Sequence, residues 1–503
     1  MSQEIELKLS IPRKALPALR RHPLVVAAVK QGNAVTLDNT YFDTPDLKLR
    51  ARRVALRTRR AGRRILQTVK CAAESTGGLS QRPEWEQDFT GSFDFSGVDA
   101  PKVRKLLQRS AEALQPVFTT RFRRETRLYT SGEDVRILVM IDSGEIIAGE
   151  RREPICEVEL ELVAGTPQNL LELARQLAAD LPLFPEDLSK AQRGFRLHLK
   201  EAATPCRAEP SGITADQSMT QAFGSLAASC LRQWQANFQN ACHEDDPEFL
   251  HQLRVALRRL RSLIDLFAPA LPADFTQHWE QRLDATAANF ARVRDLDVLC
   301  NELFAPVLSA PYSRHGSEAI GLAHLADALL EARRIAREEL RNGLDIAQHG
   351  RLLLELTGAL DTLPEPDTPL ELRTFAREQL DRLHRKARRR HAVASQDTPE
   401  TLHALRIAIK RLRYAVEFLA PLMPAKRVGA YQGELLRIQD ALGYINDVDV
   451  AREHLAEWSA AAPELAVAAA FVCGWHGARH QRLGRRTLRR LERLLATAPP
   501  WSD

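Results

Sequence analysis

Charged residues occupy every second position at the start of the chain. In QEIELKLSI, Glu4, Glu6 and Lys8 alternate with Ile5, Leu7 and Leu9. Side chains alternate across a strand, so the pattern predicts a β-strand with one ionic and one apolar face. Six further segments repeat it. ALRTRR pairs Arg57 with Arg59, LQTVK pairs Thr68 with Lys70, and RPEWEQDF aligns Arg82, Glu84 and Glu86. TTRFRRET aligns Arg121 with Arg123, LVMIDSGE carries Asp142, and ICEVELEL lines up Glu157, Glu159 and Glu161 against Ile155, Val158, Leu160 and Leu162. One such strand would simply turn its polar face to water. Many antiparallel strands carrying both signs of charge predict a sheet that curls until the ionic faces meet inside and the apolar faces pack outward against helices. Charges buried at that density require neutralisation by one another, by a metal and by a bound anion. The lumen is therefore expected to bind a highly charged ligand together with cations.

The pattern changes after EAATPCRAEPSG, residues 201–212, which lacks apolar periodicity and carries two prolines and a glycine. This stretch reads as a linker between a domain over 1–200 and a helical domain over 213–503. A second Pro-rich break, DTLPEPDTP at 361–369, splits the helical part into halves of about 213–360 and 370–500. The halves repeat: PEFLHQLRVALRRLRSLIDLF from Pro247 and PETLHALRIAIKRLRYAVEFL from Pro399 stand 152 residues apart, as do RVRDLDVL and YINDVDVA. Such a duplication predicts two helical bundles related by a pseudo-two-fold axis. His251, Arg254, Arg258 and Arg261 share one helix stripe, matched by His403, Arg406, Lys410 and Arg413. Beside them run the apolar stripes Leu253, Leu257, Leu260, Ile264 and Leu405, Ile409, Leu412, Val416, which are expected to pack the bundles. A basic stripe kept in both halves suits an anion better than a metal. Asp295, Asp297, Asp447 and Asp449 are expected to pair with neighbouring arginines.

At 503 residues the chain is too long for one core, and its net charge of +6 hides dense Arg-rich helices that point to a polyanionic partner. The charged N-terminus lacks a secretory core segment, no apolar stretch could span a bilayer, and the seven scattered cysteines form no CxxC pair. These features predict a reducing, cytoplasmic location and no membrane partner. Aromatic residues are 6% of the chain and do not interleave the basic stripes, which argues against nucleic acid as the polyanion.

The first two hundred residues resemble a CYTH domain, the fold of the triphosphate tunnel metalloenzymes. The resemblance rests on Glu4-Ile5-Glu6-Leu7-Lys8, YFDT at Tyr41–Thr44, Arg57 with Arg59, Lys70, Arg121 with Arg123, an Asp142-x-Gly144 turn, EVELEL, and SKAQRG at Ser189–Gly194. It implies an α+β domain built on an eight-stranded antiparallel tunnel that hydrolyses triphosphate compounds with Mg²⁺ or Mn²⁺. Glu4, Glu6, Asp142, Glu157 and Glu159 would then hold metal, with Glu161 an alternative on the same strand face. Lys8, Arg57, Arg59, Lys70, Arg121, Arg123 and Lys190 would grip the triphosphate. Glu4, Glu6, Lys8, Lys70 and Lys190 would serve the chemistry, and Arg193 and the Glu84/Glu86 pair are further candidates.

The rest resembles a CHAD domain, which implies two four-helix bundles around a basic groove that binds long-chain polyphosphate. His251, Arg254, Arg258, Arg261, His403, Arg406, Lys410 and Arg413 carry that expectation. The two resemblances together imply a metal-dependent inorganic triphosphatase acting on tripolyphosphate, with a location at polyphosphate granules as an extension. The alternatives are the same tunnel acting on thiamine or nucleoside triphosphates or cyclising ATP, and a polyphosphate-binding scaffold without significant turnover.

Overall fold

The computed structural model describes residues 2–71, 75–310, 317–366, 370–395 and 398–502, so the last three positions of the Pro-rich break at 361–369 lie outside the described residues. The chain divides into two compact units, one of Met1–Thr204 with Asp345–Thr362, the other of Pro205–Leu344 with Leu363–Asp503. The helix Ile346–Asp361, which the sequence pattern assigns to the first helical half, is thus part of the first unit. Among the described residues no helix is long and apolar enough to cross a membrane.

The alternating segments form eight long strands: β1 (Ser2–Ser10), β2 (Val35–Asp43), β3 (Val54–Ala61), β4 (Arg64–Cys71), β5 (Leu79–Asp88), β6 (Gln115–Ser131), β7 (Val135–Ala148) and β8 (Arg151–Ala164). Their antiparallel order is β1–β8–β7–β6–β2–β3–β4–β5, and β5 pairs back onto β1, closing a barrel. Closure removes the sheet edges and separates an inside from an outside. The outside is apolar. Leu7, Leu9, Ile137, Val139, Ile141, Val158 and Leu160 pack with Leu170, Leu171, Ala174 and Leu177 of the helix Pro167–Asp180. Around β3 and β4, Leu56 and Val69 pack with Leu49, Phe95, Val98 and Leu107. A two-residue strand, β9 (Phe184–Pro185), pairs with Leu9 and Ser10 of β1.

The helix Lys190–Leu199 closes one end of the barrel. Ser189 caps it, its hydroxyl accepting from the Gln192 amide while the Gln192 side chain accepts from the Ser189 amide. Phe195 meets Phe118 edge-on at 5.1 Å, and a Cβ on Gly194 would lie 2.0 Å from the Phe118 ring, so only glycine permits this approach. Asp142-x-Gly144 is not a turn: both residues lie within β7. A Cβ on Gly144 would come 2.2 Å from the Arg121 carbonyl, which gives the glycine its reason.

In the second unit the repeat is visible helix by helix. Met219–His243 answers to Leu372–Ala392, Pro247–Phe267 to Pro399–Leu419, and Ser317–Gly343 to Ala466–Ala496. The single helix Ala425–Ala461 answers to a broken run, Ala273–Ala288, Ala291–Val298, a π turn at Leu299–Phe304, and Ala305–Ser309. Pro306 lacks an amide and its ring crowds the carbonyl of Glu302, and the wider turn relieves that conflict. All eight residues of the two apolar stripes are buried. Two ion pairs cross between the repeats reciprocally: Arg259 to Glu417 at 2.9 Å, and Arg411 to Asp265 at 3.4 Å. Because these positions are equivalent in the two copies, the pairs are the mark of a pseudo-dyad.

Candidate active site and anion groove

The barrel encloses a cavity of about 840 Å³ lined by charged side chains from nearly every strand. The strand order polarises it. Strands β5, β1 and β8 lie side by side and contribute Glu84, Glu4, Glu6, Glu159 and Glu161. Across the barrel, β6 and β3 flank β2 and contribute Arg124, Arg57 and Arg59. One wall is predominantly acidic and the facing wall basic.

On the acidic wall, the Lys70 ammonium lies 2.8 Å from Glu4 and 2.7 Å from Glu84. Arg82 pairs with Glu4 at 3.2 Å and also with Glu6, which is 2% exposed. Coulombic attraction by Glu6, Glu4 and Glu159 outweighs burial and holds the Arg82 guanidinium firmly charged. Glu161 has no cation at ion-pair distance among the described residues. Burial, reinforced by the charges of Glu4, Glu84 and Glu6, pushes its carboxyl up to about 7. This wall holds more carboxylate than its own cations neutralise.

On the basic wall, Arg57 approaches the Tyr41 hydroxyl at 3.4 Å, and Arg59 donates to Asn39 Oδ1 at 2.9 Å. Burial and the neighbouring Arg57 and Arg124 charges lower Arg59 to about 10. For Tyr41 burial opposes ionisation, yet Arg57, with Arg59 and Lys190, brings the phenol below its ordinary value. The Arg57 Nε is buried without a hydrogen-bond partner. Arg57 and Arg59 reach carboxylates only at the outer limit of an ion pair, Glu84 at 3.9 Å and Glu86 at 4.0 Å.

Between the walls lies Lys190, from the first turn of the closing helix. Its ammonium sits among Asp142 at 2.8 Å, Glu159 at 2.9 Å and Glu157. The attraction of Asp142, Glu157 and Glu159 exceeds the cost of burial and raises its pKa. Arg124 engages Asp142 at 2.6 Å and also Glu159, while Arg193 reaches Glu157 at 3.3 Å and Glu153 at 2.6 Å. Asp142, Glu157 and Glu159 are spaced closely enough to share a cation. The Lys8 ammonium reaches the Leu188 carbonyl at 3.5 Å.

Glu4, Glu6, Lys8, Arg57, Arg59, Lys70, Glu159 and Lys190 of the sequence-predicted set are thus brought together around the cavity, with Glu84 and Glu86 beside them. Asp142 and Glu157 are buried against Lys190 and do not line it. Arg121 and Arg123 are not brought in. Both lie on the outer face, Arg121 with a side chain 68% exposed and paired to Asp38 at 3.4 Å. The inward residues of β6 are Phe118, Phe122 and Arg124. The charged-face-inward rule fails there because the plugged end of the lumen is aromatic: Phe118 and Phe122 pack with Phe195. Arg124, Arg82 and Tyr41 stand outside the ligand set read from the sequence, whereas Glu161, the alternative in that reading, lines the cavity. Arg82 was aligned with Glu84 and Glu86, and that shared strand face was the available signal.

The helical unit assembles a second ionic site from both repeats. Arg258 lies within electrostatic reach of Arg254, Arg406 and Lys410, with Asp295 and Asp447 as the nearby acids. The Nε groups of Arg258 and Arg406 are buried without hydrogen-bond partners. Burial, then Arg258 and Arg406, pushes Lys410 down to about 6, and burial, then Arg294, pushes His251 down to about 4. Arg261 is satisfied by Asp284, Arg413 by Glu417 at 2.7 Å and Gln439 at 2.6 Å, and exposed His403 by Asn446 at 2.9 Å. Asp297 is held by Arg333 at 2.7 Å and Arg337 at 3.2 Å.

Comparison with known proteins agrees with this division. Residues 2–195 match the CYTH domain and residues 225–456 the CHAD domain. An inorganic triphosphatase of Haemophilus influenzae is 32% identical over 204 residues, 41% of this chain and 57% of that protein, so the match spans little more than half of the relative. An uncharacterized protein of Mycobacterium tuberculosis is 26% identical over 491 residues, 91% of this chain and 89% of its own. The crystal structure of the CHAD domain from the plant Ricinus communis is 27% identical, with a TM-score of 0.50 over 59% of this chain and 99% of that one. The chain therefore carries a CYTH domain over residues 2–195 followed by a CHAD domain over residues 225–456.

Proposed function

We propose that the tunnel hydrolyses inorganic tripolyphosphate to pyrophosphate and phosphate with a divalent cation, and that the helical groove binds long-chain polyphosphate. The observation that carries the reading is the division of one lumen into an under-neutralised acidic wall and a facing wall whose Arg57 and Arg59 meet carboxylates only at 3.9 and 4.0 Å. A linear triphosphate with a divalent cation matches both deficits at once. The Haemophilus influenzae relative's name, inorganic triphosphatase, supports the same substrate class.

The residues present fit a hard cation. The donors are all carboxylate oxygens, and burial together with the charges of Glu4, Glu84 and Glu6 pushes the carboxyl of Glu161 upward. Glu4, Glu6, Glu159 and Glu161 would hold Mg²⁺ or Mn²⁺; when bound, the ion supplies Lewis-acid activation and neutralises developing charge. Arg57, Arg59 and Arg124 bind the phosphate oxygens, their planar guanidinium groups matching two oxygens each. Asp142 and Glu157 hold the Lys190 ammonium toward the chain, and Lys8 grips it from the acidic side. Water attacks the terminal phosphorus, the bond to the bridging oxygen breaks, and pyrophosphate leaves. Arginines fixed before the reaction stabilise charge on the leaving oxygens without reorganising.

Phosphate release from tripolyphosphate, measured with and without Mg²⁺ or Mn²⁺ on the full chain, tests the reading. Metal-dependent release that exceeds release from thiamine triphosphate and ATP, scored by kcat/KM, is expected. Failure to release phosphate from any triphosphate would leave the polyphosphate-binding scaffold.

A further inference from the structure

The connection between the two helical repeats contains a helix with no counterpart among the described residues of the second repeat. This helix, Ile346–Asp361, buries Gly350, Leu353, Leu354 and Thr357 within the first unit. Leu354 belongs to the same core as Leu7 and Leu9 of β1 and Leu181 and Leu183. Two contacts are too close for casual packing. A Cβ on Gly350 would stand 2.0 Å from the Leu183 carbonyl, and a Cβ on Gly77 would stand 2.3 Å from Thr357 Oγ1. The helix is thus pressed against two backbone segments, the run into β9 and the turn before β5.

Both segments fix the ammonium-bearing residues of the tunnel. The Lys8 amide donates to the Gly78 carbonyl at 2.9 Å, and the Lys8 carbonyl accepts from the Glu186 amide at 2.9 Å. Asp187 ties the two segments together, accepting from the Gly78 amide at 3.0 Å and from the Ser75 hydroxyl at 2.5 Å. From there the chain runs through Leu188, whose carbonyl receives the Lys8 ammonium, to Ser189 and Lys190. The contact of Thr357 with Gly77 therefore lies one residue from the Gly78 bond that sets Lys8, and the contact of Gly350 with Leu183 lies three residues before the Glu186 bond, on the segment that leads to Lys190.

We infer that the helix Ile346–Asp361 is a positioning element of the tunnel site, acting through Leu183 and Gly77 to set Lys8 and Lys190. A sub-ångström displacement of such groups is costly because reaction requires near-attack geometry. For the activity readout this inference rests on the triphosphatase reading. A second readout does not.

The test uses the full-length chain with Gly350→Ala, which forces the helix off the Leu183 carbonyl, and with the milder Thr357→Ala and Thr357→Ser. Amide hydrogen exchange is the readout independent of activity. The Lys8, Gly78 and Glu186 amides should exchange about tenfold faster in Gly350→Ala, with β6 and β7 unchanged and thermal unfolding still cooperative. Tripolyphosphate turnover, measured well below Tm, should fall about tenfold in kcat/KM, with Thr357→Ser closer to wild type than Thr357→Ala. Polyphosphate binding by the helical unit should not change. Unaltered exchange at those three amides in folded Gly350→Ala and Thr357→Ala proteins would overturn the inference. So would a loss of turnover only in proportion to the unfolded fraction. Absence of triphosphate turnover in the wild type would instead sink the functional reading, while the exchange measurement would still decide the positioning role.

Discussion

The tunnel and the groove are both built from arginine, lysine and carboxylate, yet they balance charge differently. In the tunnel, eight strands bring acids and bases into one enclosure, and Lys70, Arg82, Arg124 and Lys190 are each held by two or more carboxylates. In the groove, Arg258 crowds Arg254, Arg406 and Lys410 with Asp295 and Asp447 as the near acids, and Lys410 gives way by losing proton affinity. A network already close to neutral is rigid before ligand arrives, which suits catalysis. A cluster short of negative charge gains most from a long polyanion, which suits binding. The contrast teaches that residue composition does not distinguish the two roles; the pairing of each cation does.

The largest expected effect lies on the acidic wall. Glu6→Gln should lower metal-dependent phosphate release by about a thousandfold while the barrel stays folded by circular dichroism, because the outward core does not involve Glu6. Near-normal turnover at saturating Mg²⁺ would break the assignment of this wall. Next, Arg57→Ala should remove about 2–4 kcal/mol of transition-state stabilisation, roughly 30- to 1,000-fold in kcat/KM. A rise confined to KM would place Arg57 in ground-state binding alone.

The groove should reveal itself through protons. Lys410 faces Arg258, Arg406, Arg413 and Asp447, and its value is pushed from 10.5 to about 6. Above pH 6 the free groove therefore holds a neutral amine, and a bound polyanion favours the ammonium. Binding near pH 7.5 should take up a proton, read by calorimetry in buffers of different ionisation enthalpy, and should tighten several-fold as pH falls toward 6. In the absence of ligand the sign reverses for stability. The unfolded lysine stays protonated to higher pH, so this group's contribution falls as pH drops from 10.5 to about 6. Lys410→Met should abolish the uptake, and uptake that persists would assign it elsewhere. The smallest effect is expected outside the barrel, where Arg121→Ala should change kcat/KM by less than about twofold, since surface pairs contribute little.

Much of this arrangement was legible because two periodicities survive in the chain. Ionic residues at period two, with aliphatic residues between them, called for an inside-out barrel once both signs of charge were present. The tandem motif at 247 and 399 called for a duplicated bundle, and the reciprocal Arg259–Glu417 and Arg411–Asp265 pairs show the two copies facing each other. Where reading failed, a local pattern met a non-local neighbour. On β6 the charged parity at Arg121 and Arg123 points outward, because the closing helix fills that end of the lumen with rings. Arg124 follows from Phe122 only when Phe195 is known to lie beside it.

Sequence alone thus determined the elements, their amphipathic faces, the duplication and most of the charged lining, since these depend on spacing along one segment. Tertiary structure decided which carboxylate meets which cation, why Asp142 and Glu157 serve Lys190 while Glu159 and Glu161 face the cavity, and why the helix Ile346–Asp361 packs in the first unit, with Gly350 against Leu183, 167 residues earlier in the chain. Those outcomes are set by closure of the barrel and burial of separate faces together, and no single segment encodes them.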